Sequence, residues 1–352
     1  MTSSQQPDAC PPYAAIIATA TCFPDDIVTN QRLITQYGHR VTDAAVSKIY
    51  GIEQRRFAAP GTTDSDLLAE AARRCLERAA LGVERLSKLI VTKFLGDRLL
   101  PMTASFVQRK LDCSVAVQAF DIDGGTHCFL QALDLANVAV ASGDEYVLIV
   151  SGGICAQFTN QRDPLSAFSY GDGAAAVLVG RSSTPGFEAS YQVTDARFAE
   201  HSVGFEMRRC IPKDAAELAD TERFYRLYRT HDEKATWEVQ LDIGAEIMGR
   251  LLESAKLSPA DIDLFLITEN HRRLWTKMVT RLGIAESKTL SMLREYGNTM
   301  SAMLPALLHE AIERRRIAPG GRVMLLSFGE GISAGGLIVR LPKPMDNAGD
   351  VS

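Results

Sequence analysis

Residues 121–143, DIDGGTHCFLQALDLANVAVASG, hold the side chains most suited to chemistry. They read as a strand end, a Gly-Gly elbow and an apolar helix over residues 126–141. A side chain at the start of such a helix faces free backbone N–H groups and the positive end of the helix dipole. Acyl-transfer chemistry uses that place for a nucleophile, and the N–H groups for an oxyanion, at about 3–4 kcal/mol per good donor. Here the place belongs to Thr126, and Cys128 follows two residues later. A thiol ionises near neutral pH; a threonine hydroxyl does not, so it needs a general base within hydrogen-bond reach. Cys128 is turned to nearly the opposite side of the helix and reads as packing. His127 is adjacent to Thr126, but consecutive helical residues point about 100° apart, so it faces elsewhere.

The elements that position this elbow occur twice. VQAFDIDGG reads as a strand, followed by the elbow helix, the buried strand of SGDEYVLIVSGG and the Gly turn and strand of YGDGAAAVLVG. Later, DIDLFLITEN is strand-like. YGNTMSAMLPALLHEAIERRRIAPGG reads as a second Gly elbow and helix, and RVMLLSFGEGISAGGLIVRL as two strands about a Gly turn. Thr126 begins the first helix and Asn298 its counterpart. A duplicated α/β unit puts these two on facing helices, with small residues (Ala132, Ala136, Ala139; Ser301, Ala302, Ala306) allowing close approach. An amphipathic helix over about 64–80, capped by Asp64 or Ser65, and the strand LSKLIVTKF extend the βαβ pattern upstream. The boundary falls at TPGFEAS, giving halves 1–184, with the elbow, and 185–352, with Asn298. The 200–240 stretch, rich in charge and aromatics, reads as a cap or tunnel wall outside the central layers.

The 352 residues suffice for one large domain or two ordinary ones. A hydrophobic content of 46%, a charged content of 23% and a net charge of −5 fit a soluble globular protein without a nucleic-acid footprint. RRRIAPGGR reads as a solvated helix end. Seven scattered cysteines with no CxxC or Cys/His spacing point to no metal and to a reducing cytoplasm. No signal peptide or membrane span is visible, no flavin or nicotinamide motif appears, and both ends read as frayed.

Six segments in order, from ATATCFPDDIVTNQRL and YGIEQRRFAAPGTT to SFGEGISAGGLIVRL, resemble the ketoacyl synthase III branch of the thiolase superfamily, over roughly residues 13–341. The resemblance implies an α/β thiolase fold: duplicated βαβαβ halves in a layered α-β-α-β-α sandwich. The family uses a Cys nucleophile with a His and an Asn. Gap-free alignment puts Thr126 on the Cys position, Glu269 of ITENHRRL on the His position and Asn298 on the Asn position. His271 is a second candidate base. Glu269 is a base that burial makes harder to ionise. Ionised, it repels an enolate, so ordinary decarboxylative condensation is disfavoured.

Three readings follow. One is an acyltransferase or atypical condensing enzyme of secondary metabolism, with Thr126 as acyl acceptor or hydrogen-bond donor. The second is a non-catalytic subunit partnering a Cys-bearing paralogue. The third is a decarboxylase or thioester hydrolase. The resemblance further implies no tightly bound cofactor, an acyl-pantetheine co-substrate on carrier protein or CoA, and a dimer, with a heterodimer as the alternative. The loop FLGDRLLPMTAS, with Leu100 at its tip, reaches the partner's pocket, and Gly329 and Gly331 lie behind the site. Glu53 stands where this branch carries an Arg, which favours a carrier protein over the CoA nucleotide as donor. Arg273, Lys277 and Arg281, spaced i, i+4, i+8, form one basic face for an acidic carrier or for solvent.

Overall fold

The computed structural model describes residues 13–198, 204–206, 226–228, 233–329 and 331–343. The two polar ends and most of the 200–240 stretch lie outside the described residues.

Among the described residues, thirteen strands run in chain order: β1 Tyr13–Cys22, β2 Asp26–Thr29, β3 Gln54–Phe57, β4 Lys88–Lys93, β5 Gln118–Asp123, β6 Tyr146–Gly153, β7 Gly173–Ser182, β8 Phe187–Thr194, β9 Gly204–Glu206, β10 Arg226–Tyr228, β11 Leu264–Ile267, β12 Arg322–Gly329 and β13 Ser333–Arg340. The helices that matter here are α1 Asn30–Tyr37, α2 Asp43–Tyr50, α3 Asp64–Arg78, α4 Thr103–Lys110, α5 Cys128–Ala141, α6 Pro164–Ala167, α7 Glu233–Ala255, α8 Arg272–Arg281, α9 Leu293–Tyr296 and α10 Met303–Glu313.

Two sheets repeat one plan. The first has the order β5-β4-β6-β7-β1, and the second β11-β12-β13-β8. In each, a parallel pair (β4/β6; β11/β12) is followed by two antiparallel neighbours. β5 is parallel to β4, and its counterpart in the second half shrinks to one parallel bridge, Phe265 to Thr289. The fold is therefore the expected duplicated α/β arrangement.

Strand alternation sorts the core into layers. Ile90, Val147, Ile149, Val177 and Val179 of the first sheet and Leu264, Leu266, Val323, Leu325 and Leu337 of the second face a common middle layer made by α5 and α10. The intervening residues Leu89, Val91, Leu148 and Val150 pack outward on α3 and α4. Phe265, Ile267, Met324 and Leu326 pack outward on α7 and α8. A helix between two sheets must be apolar all round, which CFLQALDLANVAVA largely is. Ala132, Ala136, Ser301, Ala302 and Ala306 are all buried in this layer, so small side chains do bring the two halves together.

Three local starts differ from expectation. Helix α3 begins on Thr63, whose capping box with Asp66 satisfies two end donors at once; Asp64 and Ser65 already lie inside it. Helix α5 begins at Cys128, so Thr126 sits on the elbow before it. Asn298 does not begin α10. It is followed by a 3₁₀ turn at Met300–Ala302, and the helix proper starts at Met303. The reason is local. Met300 has φ of 53°, outside the helical region, and Pro305 is tolerated only in a first helical turn, where its missing N–H has no partner to lose.

Candidate active site

β5 delivers the chain to Gly124 and Gly125. Gly125 has φ of 61°, a conformation that glycine adopts at no steric cost, and the chain turns into α5 with His127 as the capping residue. No side chain among the described residues caps this helix start, which leaves its N–H groups at the positive end of the helix dipole. Thr126 is fully buried. Its hydroxyl donates to Oδ1 of Asn270 at 3.5 Å, a long hydrogen bond, and its carbonyl accepts from Ser327 Oγ at 3.2 Å. Gly329 presses on the elbow from behind: a Cβ there would meet His127 Cβ at 3.1 Å. Gly331, with φ of 66°, turns the chain from β12 into β13.

The two residues beside Thr126 are occupied elsewhere. Burial pushes the His127 imidazole down to about 4, and its ring lies against Gln192 and Gly335, so it is neutral. Cys128 Sγ is buried and donates to Gly125 O at 3.0 Å.

Glu269 is placed differently from the sequence expectation. Its carboxylate does not meet Thr126. Oε2 accepts from Ser291 Oγ at 2.9 Å, Met292 N at 3.0 Å and Leu293 N at 3.1 Å, closing the turn that starts α9. Oε1 lies 3.6 Å from Arg272 Nη1. Desolvation raises its pKa, and the three donors and Arg272 oppose the rise. A carboxylate this buried is held where donors converge, and here they converge on residues 291–293. His271 also acts structurally. It is the N-cap of α8, with Nδ1 accepting from Arg273 N at 3.1 Å and its ring 5.2 Å from that of Trp237.

Asn298 is buried, and its Oδ1 accepts from Met300 N at 2.8 Å, which leaves the NH₂ end of the amide to donate. Its backbone is sewn to the first half by Asn298 N to Ser169 O at 2.8 Å and Gly171 N to Asn298 O at 3.1 Å. Gly297, with φ of 68°, lets this segment pass close to Arg55: a Cβ there would lie 3.3 Å from Arg55 Cβ and from Ser169 O. Arg55, from YGIEQRRF, is fully buried and donates to Asn30 Oδ1 at 2.7 Å, Phe168 O at 2.9 Å and Val28 O at 3.2 Å; burial lowers its pKa to about 10. It is a tie beneath Asn298.

The structure thus brings Thr126 together with Asn270, a residue sequence reasoning did not assign to the site. The signal was strand parity. Leu264 and Leu266 face the middle layer, and the same parity carried past Ile267 falls on Asn270, not Glu269.

The remaining expected site residues lie at the surface of the chain. Leu99 and Leu100 are 81% and 77% exposed at the tip of the loop after β4. Asp97 ties that loop to α3 by accepting from Ser65 N at 2.8 Å, and Arg98 lies over the Phe106 ring. On α8, Lys277 pairs with Glu238 and Arg281 with Asp242, both on α7; Arg273 has no ion pair among the described residues. Glu53 pairs with Arg294 at 2.8 Å. No helix among the described residues is long and apolar enough to cross a membrane.

Residues 120–196 match the family description 3-oxoacyl-[acyl-carrier-protein (ACP)] synthase III, and residues 252–341 match that of its C-terminal part. The β-ketoacyl-[acyl-carrier-protein] synthase III of Syntrophomonas wolfei is 30% identical over 336 residues, covering 94% of this chain and 98% of that one. The chain belongs to the ketoacyl-ACP synthase III family. The crystal structure of the 3-oxoacyl-[acyl-carrier-protein] synthase III of Aquifex aeolicus superposes with a TM-score of 0.82 at 25% identity, covering 93% of this chain and 99% of that one. The priming β-ketosynthase of the R1128 polyketide pathway shares the fold, with a TM-score of 0.83 at 23% identity and coverage of 97% and 100%. At the level of the family, this synthase III fold is that of condensing acyltransferases.

Proposed function

We propose that this ketosynthase III-like protein is an acyltransferase or atypical condensing enzyme of secondary metabolism, working on acyl thioesters carried by a carrier protein or CoA. The observation that carries the reading is the elbow: an uncapped helix start offers N–H groups to a thioester carbonyl, with the buried Thr126 hydroxyl beside them and Asn270 as its partner. Glu269 and His271 each accept from backbone N–H groups, and neither is hydrogen-bonded to Thr126 among the described residues. Thr126 therefore acts as a hydrogen-bonding orienter, and the acceptor attacks the bound thioester directly: its oxygen or nitrogen forms the new acyl bond, the acyl–sulfur bond breaks, and the acceptor's proton leaves with the pantetheine thiolate as the free thiol. Asn298 donates through its NH₂ group. No tightly held cofactor enters this scheme.

Dimerisation is part of the proposal. β5 is an edge strand among the described residues, and Leu99, Leu100, Leu135 and Val138 expose apolar surface. A second copy covers them, with Leu100 closing the partner's acyl pocket. The cytoplasm is the proposed location. Arg273 is the proposed docking cation for an acidic carrier, since Lys277 and Arg281 are already paired.

That neither base is hydrogen-bonded to Thr126 among the described residues also favours a second reading, a non-catalytic subunit of a heterodimer. Intact mass after incubation with acyl-thioester donors, together with turnover, separates the two. Transfer to an alcohol or amine without an adduct is expected. An adduct lost in Thr126→Ala makes the threonine a covalent acceptor instead. Neither adduct nor turnover, with tight binding to a Cys-bearing paralogue, establishes the subunit reading.

A further inference from the structure

Behind Asn270, on the side away from the middle layer, lies a small cavity of about 10 Å³ whose lining includes Trp275, Gln240, His271, Thr268 and Asn270 beside apolar side chains. Two polar atoms there are left without partners. Trp275 is 8% exposed and its Nε1–H donates to nothing; Gln240 is 9% exposed and its Oε1 accepts from nothing among the described residues. A buried orphan donor and a buried orphan acceptor each cost about 1–3 kcal/mol, and here the two residues that carry them line one space. That space is about the size that holds a single water.

We infer that this cavity is a binding site for one neutral hydroxyl group, which accepts from Trp275 Nε1–H and donates to Gln240 Oε1. The chemistry selects the group. A hydroxyl can accept and donate at once. A carbonyl cannot donate and an ammonium cannot accept. The hydroxyl has two sources: a resident water, or the hydroxyl of a small alcohol. The site itself does not depend on the acyl-transfer reading. Only the alcohol source rests on it, as the seat of an acceptor's hydroxyl next to Asn270 and hence next to Thr126.

The chain has two tryptophans, so its indole N–H groups give two resolvable signals, and Trp237→Phe assigns them. In the ¹⁵N-labelled full-length protein, the Trp275 indole proton is expected to show a cross-peak to a long-lived water. The measurement is repeated in dilute ethanol. Persistence of the water cross-peak identifies a resident water, and its replacement by ethanol methylene cross-peaks identifies an alcohol site; both support the assignment. Gln240→Met should abolish the cross-peak and shift the Trp275 signal. A wild-type Trp275 indole proton with neither water nor ethanol cross-peaks overturns the site, whether or not the variant folds. Loss of acyl transfer with the cross-peak intact sinks the catalytic reading alone.

Discussion

Thr126 donates its hydroxyl to Oδ1 of Asn270 at 3.5 Å, across the junction of the two halves, while the Asn270 amide donates to Phe328 O at 3.1 Å. The carboxamide is thereby held by β12, and the hydroxyl is held by the carboxamide. A group oriented this way can steer a bound carbonyl, and among the described residues its hydrogen-bond partner is an amide, which is no base.

Thr126→Val keeps the volume and loses the hydroxyl. Acyl transfer should fall about tenfold to a hundredfold through loss of one hydrogen bond at the reacting centre. Thr126→Cys installs an ionisable thiol at a helix start that favours the thiolate. It should form an acyl adduct by intact mass that hydroxylamine removes. A cysteine variant that is folded but never acylated would mean that the elbow does not face substrate.

Glu269 separates a chemical from a structural role. Glu269→Gln keeps an oxygen for Ser291, Met292 and Leu293 and should leave the pH–rate profile where it is. Glu269→Ala strands two backbone donors and should destabilise the protein by about 2–4 kcal/mol, read by urea unfolding. A Glu269→Gln enzyme that folds normally yet loses the basic limb of its profile would restore the general-base assignment.

Asp64 is buried at the start of α3, with Oδ1 accepting from Ile154 N at 3.0 Å, and desolvation raises its carboxyl to about 6. The folded state therefore holds a proton that the unfolded chain, titrating near 4, has released. Stability falls as pH rises from about 4 to 6 and levels off above, by roughly 1–3 kcal/mol from this group. Neutral, buried His127 contributes with the opposite sign, losing stability as pH falls from about 6.5 to 4. Subtracting the profile of Asp64→Asn from wild type isolates the Asp64 share. The variant should be the more stable protein at pH 7–8 and converge with wild type near pH 4.

The exposed loop tip predicts assembly. The wild-type chain of 38.4 kDa should run at twice that mass in light scattering, and Leu99→Asp with Leu100→Asp should shift it towards monomer. A wild type that stays monomeric at high concentration removes the dimer and the pocket it completes.

Much of this was legible in the sequence, because the fold rests on patterns that repeat. The Gly-Gly elbow, the alternation of Leu264 to Ile267 and the small residues of α5 and α10 are local signals of global position. The site was less legible because it is made where the regular elements stop. Gap-free counting put Glu269 opposite Thr126, but strand parity carried past Ile267 puts Asn270 on that side, and the donors at 291–293 claim the Glu269 carboxylate. Asn298 looked like a helix start because Met300 breaks the helix by its backbone angle, which composition does not reveal. Lys277 and Arg281 have the spacing of a docking stripe; only the neighbouring α7 shows that Glu238 and Asp242 already answer them.

The lone bridge between Phe265 and Thr289, standing where the first half has a whole strand, has a consequence for how this molecule can diversify. One half runs straight from strand to elbow and supplies backbone dipoles that few substitutions can alter. The other reaches the same axis through an irregular passage, from residue 289 to 302, whose side chains can be exchanged while the sheets stay paired. Change in what is transferred, and to what, should therefore accumulate in the second half, while the seat of the carbonyl stays fixed in the first.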